Sequence, residues 1–218
     1  MAIVNYAPPM RPYLNIVFKD EHLLVLNKPS GLLTVPGKAL EHKDSLELRV
    51  QRVYPTAKIV HRLDMATSGL LVMALDKDTH RQLSRQFELR QTRKTYIARV
   101  YGEVSGERGS VDLPLICDWP NRPKQMVCQQ RGKPSLTHWR VLERNDNSTR
   151  MELTPVTGRS HQLRVHMLSL GHPILGDRLY AHSDALTMAK RLQLHAQTLG
   201  FTHPVTGLPL ELSAPVPF

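Results

Sequence analysis

Residues 61–69, HRLDMATSG, place a single acid among basic, small and hydroxyl residues and lead directly into the apolar segment LLVMAL at 70–75. An apolar run of this length next to turn-forming residues is typical of a buried β-strand. Asp64 therefore lies in a turn that feeds a core strand, and loops positioned by a rigid scaffold often carry catalytic groups. The alternative is a structural role, in which Asp64 caps the turn or pairs with Arg62.

The bulk composition is that of an ordinary globular protein. The chain has 218 residues, of which 41% are hydrophobic and 22% charged, so it can bury a sizeable core. It contains neither an apolar run long enough to cross a bilayer nor the basic-then-apolar start of a signal peptide, so we expect a cytoplasmic protein without membrane contact. The Pro-rich residues 1–12 are expected to form an extended arm. The rest of the chain is long enough for one large domain or two small lobes.

The chain is strongly basic. It has 29 Lys and Arg against 19 Asp and Glu, a formal net charge of +10, and these cations are spread over the sequence rather than confined to a tail. Such a charge is expected of a nucleic-acid-binding protein whose folded body contacts phosphates, although a solubilising surface would look similar. Two cysteines, Cys117 and Cys128, are too far apart for a Cys-x-x-Cys motif and are interpreted as free thiols.

Hydrophobic periodicity and turn residues predict an α+β fold with a mixed, mostly antiparallel sheet flanked by helices. The predicted helices are 45–54, 76–90, 160–170 and a single turn within 186–192. Ser45 or Asp44 is expected to cap the first helix and Asp76 the second, and Gly171 to end the third. The predicted strands are 16–18, 22–26, 70–75, 94–102, 136–143, 150–156 and 194–201. Whether residues 180–192 are ordered is left open by the sequence.

The segment 114–134 is rich in proline and basic residues, and we predict a long irregular connection there. Trp119, Arg122 and Lys124 give it the chemistry to stack on a base and to contact phosphates. A tryptophan that merely docks the loop on the core would be equally consistent with the sequence.

Several enzyme classes are excluded by missing motifs. Although residues 61–64 resemble a kinase catalytic loop, the chain has no Gly-rich loop, no Asp-Phe-Gly, no P-loop and no G-x-S-x-G. His161 and His166 are five residues apart, which is not the i, i+4 spacing of helical zinc ligands, so we expect surface or hydrogen-bonded histidines. The sequence shows no site for a metal or a cofactor, and we predict neither.

Five segments, in one order along the chain, resemble the motifs of the RluA-type pseudouridine synthases. They are NKPSG at 27–31, HRLDMATSG at 61–69, KTY at 94–96, GRSHQLRVH at 158–166 and GHPILGD at 171–177. The loop 112–125 further resembles that of family members that modify both tRNA and 23S rRNA. One departure is that only about a dozen residues precede the first strand, so we expect no separate S4-type RNA-binding domain.

The resemblance implies the pseudouridine synthase fold with a central RNA-binding cleft, and a single catalytic domain over 13–218. It implies that uridine in RNA is detached at its N1-glycosidic bond, rotated, and rejoined through C5. Asp64 would be the ionised carboxylate, as nucleophile or as base, with Arg164 paired to it. Tyr96 would stack on the extruded uracil, and Leu163 would help close the pocket.

The same resemblance implies that RNA contacts come from His61, Arg62 and Lys94, in addition to Leu163 and the three residues of the 114–134 segment. Arg62 would fill the space that the extruded nucleotide leaves. The expected partners are stem-loops of tRNA and 23S rRNA, bound by a monomer. Two rival hypotheses stay open: an enzyme of the same chemistry that acts on rRNA only, and a non-catalytic RNA-binding protein. The sequence does not identify the modified uridine.

Overall fold

A computed structural model describes residues 6–218, so residues 1–5 of the predicted N-terminal arm lie outside the described part. In chain order the regular elements are β1 (Ile16–Lys19), β2 (Leu23–Lys28), α1 (Leu46–Gln51), β3 (Lys58–Ile59), β4 (Ser68–Ala74), α2 (Lys77–Glu88), β5 (Arg93–Tyr101), β6 (Arg108–Asp112), β7 (Leu115–Cys117), β8 (Gln125–Val127), β9 (Leu136–Asn145), β10 (Ser148–Pro155), α3 (Gln162–Ser169), α4 (Ser183–Thr187), β11 (Leu194–Thr202) and β12 (Pro209–Ser213). None of the helices within 6–218 is long and apolar enough to cross a membrane.

The chain divides into two compact units. The first, called here the outer-segment unit, comprises the described residues up to Lys94 together with 196–217; the second, the central unit, comprises 95–195 and Phe218. Asp64 belongs to the outer-segment unit, whereas Tyr96 and Arg164 belong to the central unit.

In the outer-segment unit, β4 is the strand on which the others are built. All seven of its residues are buried, as the apolar run at 70–75 predicted. It pairs antiparallel with β2 and β3, β2 pairs with β1, and β11 lies next to β4 and pairs with β12. Leu83 of α2 packs into the same core as Val72 of β4 and Phe201 of β11.

Gly69 explains why the motif before β4 ends in glycine. Its φ is +117°, which side chains rarely adopt, and a Cβ placed there would lie 2.3 Å from the carbonyl oxygen of Ala196 on β11. Glycine therefore permits both the backbone conformation and the close approach of the neighbouring strand.

In the central unit, four strands form an antiparallel succession β5–β10–β9–β6. One face of β9 and β10, with Thr137, Met151 and Leu153, is buried. Gln162 and His166 of α3 hydrogen-bond Thr137 on that face. The alternation of buried and exposed residues is that of a sheet with one solvated face.

The prediction of an irregular connection over 114–134 was wrong in part. Residues Leu115–Cys117 and Gln125–Val127 pair as the antiparallel hairpin β7–β8, with a short 3-10 turn at Trp119–Asn121 between them. Each strand has only three residues, and the prolines at 114, 120 and 123 obscured them in the sequence.

Helix boundaries followed the predicted caps more closely than the predicted lengths. Ser45 and Asp76 each accept a hydrogen bond from the backbone N–H three residues later, as expected of N-caps. Helix α3 begins at Gln162, because His161 has a left-handed φ of 54°. The last predicted helical turn lies earlier, at Ser183–Thr187, and strands β3, β6 and β12 were not predicted.

Candidate functional site in two units

Asp64 begins a tight turn immediately before β4. The N–H of Thr67 donates to the carbonyl oxygen of Asp64 at 3.1 Å, which closes a four-residue turn. Leu63, on one side of the acid, is 6% exposed, and Thr67, on the other, is 3% exposed. The partly buried Asp64 is thus carried by a short loop whose two flanks are anchored in the core.

Residues 28–34 hold this loop through hydrogen bonds to the backbone of the loop. Ser30 Oγ donates to the carbonyl of Ala66 at 2.6 Å, and the N–H of Gly31 donates to that of Met65 at 2.8 Å. Thr34 Oγ1 donates to the carbonyl of Leu63 at 2.6 Å and accepts from the N–H of the same residue at 3.3 Å. These contacts fix the residues on either side of Asp64.

Lys28 is the most unusual member of the segment, because it is fully buried and lysine is almost never fully buried unless it is paired. Its Nζ donates to the carbonyl oxygens of Pro29, Leu32 and Met65 at 2.9, 2.8 and 3.1 Å. The sequence pattern at 27–31 indicated a turn but gave no sign that the lysine side chain turns inward. Its role was therefore missed.

His61 ties the start of the loop to the core. The N–H of Val72 on β4 donates to Nε2 of His61 at 3.2 Å, and the imidazole stacks on Phe87 of α2 with 4.3 Å between ring centroids. Burial, and then the charge of Lys94, lower the pKa of His61 to about 3. The imidazole is therefore neutral at physiological pH, with Nε2 as the acceptor.

Two predicted RNA-binding cations lie in the same unit. Burial, followed by the nearby charge of Arg90, lowers the pKa of Lys94, whose Nζ is 5.9 Å from the centroid of the Phe87 ring. Arg62, in contrast, is exposed. Lys94 thus lies at the edge of the His61–Phe87 stack, and Arg62 extends from the loop that carries Asp64.

In the central unit, Arg164 is held by a bidentate ion pair. Its Nε and Nη2 donate to the two carboxylate oxygens of Asp177, each at 2.7 Å, and both residues are buried. Asp177 also accepts from the N–H groups of Leu179 and Tyr180 at 2.9 and 3.3 Å. Planar two-point contact of this kind fixes the orientation of the guanidinium as well as its position.

A tyrosine and a histidine extend this arrangement. The Arg164 guanidinium lies 5.1 Å from the ring centroid of Tyr180, whose hydroxyl is hydrogen-bonded to Nδ1 of His161 at 2.6 Å and accepts from the N–H of Gln125 at 2.8 Å. The left-handed backbone of His161 accompanies this contact, and such strain is common at functional sites. Asp177 lies within the motif at 171–177, but the sequence predicted no role for it or for Tyr180.

Helix α3 itself is locked by two buried polar side chains that sequence reasoning also missed. The amide nitrogen of Gln162 donates to the carbonyl oxygen of Leu136 and to Thr137 Oγ1, both at 3.0 Å. His166 is hydrogen-bonded to Thr137 Oγ1 at 2.9 Å and to the carbonyl oxygen of Leu113 at 3.0 Å. Burial lowers the pKa of His166. Of the two expected alternatives, a surface or a hydrogen-bonded histidine, His166 is therefore the second.

Tyr96 and Leu163 are the other predicted catalytic and pocket residues of the central unit. Tyr96 is partly buried on β5, opposite Leu153 of β10, and Leu163 of α3 is 6% exposed. The predicted pairing of Arg164 with Asp64, which lies in the outer-segment unit, stays a prediction. Within residues 6–218, no three His, Cys, Asp or Glu side chains form a group suited to a metal ion.

The tip of the β7–β8 hairpin presents an aromatic and a cation together. Trp119 is 62% exposed, and the Arg122 guanidinium carbon lies 3.7 Å from a ring centroid of that side chain. The N–H of Lys124 donates to the carbonyl oxygen of Asn121 at 3.1 Å, which shapes the turn. Trp119 therefore does not dock the loop on the core, and a flat aromatic surface stays exposed.

Comparison with known proteins gives the family. A family model described as RNA pseudouridylate synthase matches residues 22–169. Proteins named Dual-specificity RNA pseudouridine synthase RluA, from Salmonella typhimurium and Escherichia coli K12, are each 58% identical over the full length of both chains; that of Vibrio vulnificus is 52% identical over all of this chain and 89% of its own. This chain belongs to the RNA pseudouridylate synthase family, and the predicted isomerase class is confirmed.

Solved structures support the fold. Human RNA Pseudouridylate Synthase Domain Containing 1 matches with a TM-score of 0.81 and 30% identity, over 97% of this chain and 87% of the human chain. Human RNA Pseudouridylate Synthase Domain Containing 4 matches with a TM-score of 0.74 and 28% identity, over 93% and 88%. The predicted α+β pseudouridine synthase fold, with antiparallel strands and few helices, is confirmed.

Proposed function

We propose that this enzyme isomerises uridine to pseudouridine both in the anticodon stem-loop of tRNA and in 23S rRNA. The observation that carries the proposal is the 58% identity, over the whole of both chains, to synthases named dual-specificity. The net charge of +10, spread along the chain, suits a body that contacts RNA directly.

The proposed reaction balances without a co-reactant. The bond between N1 of uracil and C1′ of ribose breaks, the detached base rotates, and C5 forms a new bond to C1′. The proton on C5 is then lost, while N1 gains one. A carboxylate that acts on the sugar and a base pocket that retains the free uracil are the chemical requirements.

Asp64 is the proposed catalytic carboxylate, as nucleophile or as base. Support comes from the way its loop is held: the 28–34 segment binds the carbonyl oxygens of Leu63, Met65 and Ala66 and so positions the acid through the backbone. Preorganised groups need not be ordered during the reaction, which lowers the barrier.

Arg164, Tyr96 and Leu163 are the proposed partners of Asp64 in the central unit. Arg164 would hold the carboxylate ionised and aimed, and its own guanidinium is preset by Asp177. Tyr96 would stack on the extruded uracil and assist removal of the C5 proton, and stacking of this kind contributes about 1–3 kcal/mol per base. Leu163 would close the apolar side of the pocket.

The remaining predicted residues are proposed to bind RNA. Arg62 would take the place of the extruded nucleotide, with His61 and Lys94 beside it, while Trp119, Arg122 and Lys124 would contact the RNA at the hairpin tip. The exposed Trp119 with its stacked Arg122 supports base stacking there. We further propose that the protein works as a cytoplasmic monomer, with one catalytic domain over 13–218.

The test is to map pseudouridine by carbodiimide adduct and primer extension after incubation with unmodified anticodon stem-loops and with 23S rRNA fragments. Wild type is expected to produce new stops in both RNAs, and Asp64→Asn in neither, while RNA binding by that variant survives. Asp78→Asn is the matched control, because Asp78 is a surface acid, 78% exposed, that pairs only with the exposed Arg81.

Other outcomes would replace the proposal in defined ways. Stops in 23S rRNA alone would keep the chemistry but remove the dual specificity. Tight binding without stops in either RNA would favour a non-catalytic RNA-binding protein. Full activity of Asp64→Asn, with deamidation back to aspartate excluded by mass spectrometry, would remove Asp64 from the mechanism.

A further inference from the structure

One face of the central-unit sheet carries four arginines in two directly opposed pairs. Arg99 of β5 lies opposite Arg150 of β10, and Arg108 of β6 lies opposite Arg140 of β9. Like charges directly opposite each other destabilise a sheet. This arrangement, called here the arginine face, therefore costs stability unless opposite charges compensate it.

The arginine face is opposite the face that carries the proposed catalytic tyrosine. Tyr96 pairs with Leu153 on β10, and side chains alternate along a strand, so Tyr96 and Leu153 share one face. Arg150 and Glu152 share the other face, and Arg140 continues it because it pairs with Glu152. The arginine face is thus no part of the base pocket proposed above.

The charges on the arginine face are only partly neutralised within the sheet. Glu152 accepts from Nη2 of Arg140 with both carboxylate oxygens at 3.1 Å, and Glu143 lies opposite Arg150. No acidic side chain in the part of the chain that the structure describes lies within ion-pair distance of Arg99, Arg108 or Arg150. Asp112 also lies on this face, because it shares the exposed side of β6 with Arg108. Four guanidinium groups therefore stand against three carboxylates.

The exposed half of this face forms a groove. A cavity of about 310 Å³ is lined by Gly109, by Trp139 and by polar side chains, namely Arg108, Ser110, His138, Arg140, Glu152 and Thr154. Arg108 is exposed, and the side chain of Arg140 is 59% exposed despite its ion pair. Three inter-strand spacings separate β5 from β6, so the band of arginines is about 14 Å long.

We propose that the arginine face is a second RNA-binding surface, which contacts phosphates of double-helical RNA outside the stem-loop that enters the catalytic pocket. RNA is favoured as the partner because the family acts on RNA and because guanidinium groups bind phosphate oxygens at two points. Contacts to phosphates alone would be independent of sequence, which suits an enzyme that engages two different RNAs. This surface deepens the proposed function and rests on it for the identity of the long RNAs.

The test compares a short and a long substrate with one variant. Arg108→Glu/Arg140→Glu reverses the two exposed arginines, and Lys43→Glu/Lys58→Glu is the matched control, since both lysines are exposed in the outer-segment unit. Binding is measured by filter retention at several salt concentrations. Turnover is measured on the isolated anticodon stem-loop and on full-length tRNA or a 23S rRNA domain.

The arginine variant is expected to bind the long RNAs about tenfold more weakly at 0.1 M salt. The slope of log affinity against log salt should fall by about two, because roughly 0.9 is lost per phosphate contact. Turnover of the isolated stem-loop should stay within twofold of wild type. Arg108→Lys/Arg140→Lys, which keeps both charges, should restore most of the long-RNA affinity.

Equal losses on short and long RNA, unchanged binding of long RNA, or an equal loss in the lysine control would each overturn the second surface. Wild-type turnover of the stem-loop reports the proposed function separately, so a failure of one proposal is distinguishable from a failure of the other. Binding of an acidic protein in place of RNA would show as unchanged RNA affinity and belongs to the outcomes that overturn the proposal.

Discussion

The two units fix their proposed catalytic groups in different ways. The loop of Asp64 is held through its backbone, by donors from the 28–34 segment that reach the carbonyl oxygens of neighbouring residues. Arg164 is held through its own side chain, by a buried ion pair with Asp177. Backbone anchoring fixes the residues on both sides of an acid, whereas an ion pair presets the geometry of a cation that cannot lose its charge.

The difference predicts that the ion pair in the central unit is the most costly contact to break. Asp177→Ala would leave the Arg164 charge buried and uncompensated, so we expect about 3–5 kcal/mol of lost stability. Urea unfolding of the variant and of wild type measures this loss. Asp78→Ala, which breaks an exposed pair, should cost less than about 1 kcal/mol. A cost for Asp177→Ala no larger than that of the control would mean that other contacts fix Arg164.

Lys28 anchors the Asp64 loop through the Met65 carbonyl oxygen, and its removal should cost somewhat less stability than that of Asp177. Lys28→Met keeps most of the volume but leaves three carbonyl oxygens without this donor, for an expected loss of about 3 kcal/mol. Turnover should fall with it, since the Met65 carbonyl is released next to Asp64. Lys43→Met removes an exposed lysine that also donates to a backbone carbonyl, that of Gly37. This control is expected to change the stability by no more than a few tenths of a kcal/mol and to leave turnover nearly unchanged.

His61 gives the same loop a dependence on pH. Its pKa is about 3 in the folded protein, below the roughly 6.5 of an unfolded histidine. Between these values the unfolded chain binds more protons, so the contribution to stability is fully present above pH 6.5 and falls as the pH drops. Between pH 7 and pH 5, His61→Gln should therefore lose about 2 kcal/mol less stability than wild type. His138→Gln, at an exposed position, is the matched control variant.

Thr34 offers the finest test of backbone anchoring. Thr34→Val keeps the shape but deletes the hydroxyl that bonds Leu63 in both directions, at an expected cost of about 1 kcal/mol. Because the loop and not the RNA contact is altered, kcat should fall several-fold with KM nearly constant. Thr34→Ser should restore kcat. A change confined to KM would show instead that the segment binds substrate.

The sequence predicted the elements that depend on local chemistry. The buried strand β4, the caps Ser45 and Asp76, and the C-terminal glycine of α3, whose φ is +85°, all follow from residues that are adjacent in the chain. The family and the site residues were predicted from the resemblance of five motifs in one order along the chain. The structure shows the contacts that surround these motifs.

What the sequence did not predict depends on distant partners. The pattern at 27–31 indicated only a turn. The burial of Lys28 depends on its hydrogen bond to the carbonyl oxygen of Met65, 37 residues away. The Asp177–Arg164 pair and the Tyr180–His161 contact also join separate segments. Strand β6 contains Gly109, on which the ring of Trp139 packs so closely that a Cβ would lie 2.5 Å from the ring. Because glycine is unusual within a strand, the sequence pattern did not indicate β6.

The division of the chain also has a consequence for synthesis on the ribosome. The outer-segment unit includes 196–217, which are made only after the whole of 95–195 has been added. Leu199 and Phe201 of β11 belong to the core beneath β4, so that core stays incomplete while the intervening residues emerge. Long-range pairing of this kind slows folding. The core that supports the Asp64 loop therefore cannot be completed while the preceding residues are being made. The outer-segment unit begins first and is completed after the central unit, which is inserted into it in the sequence.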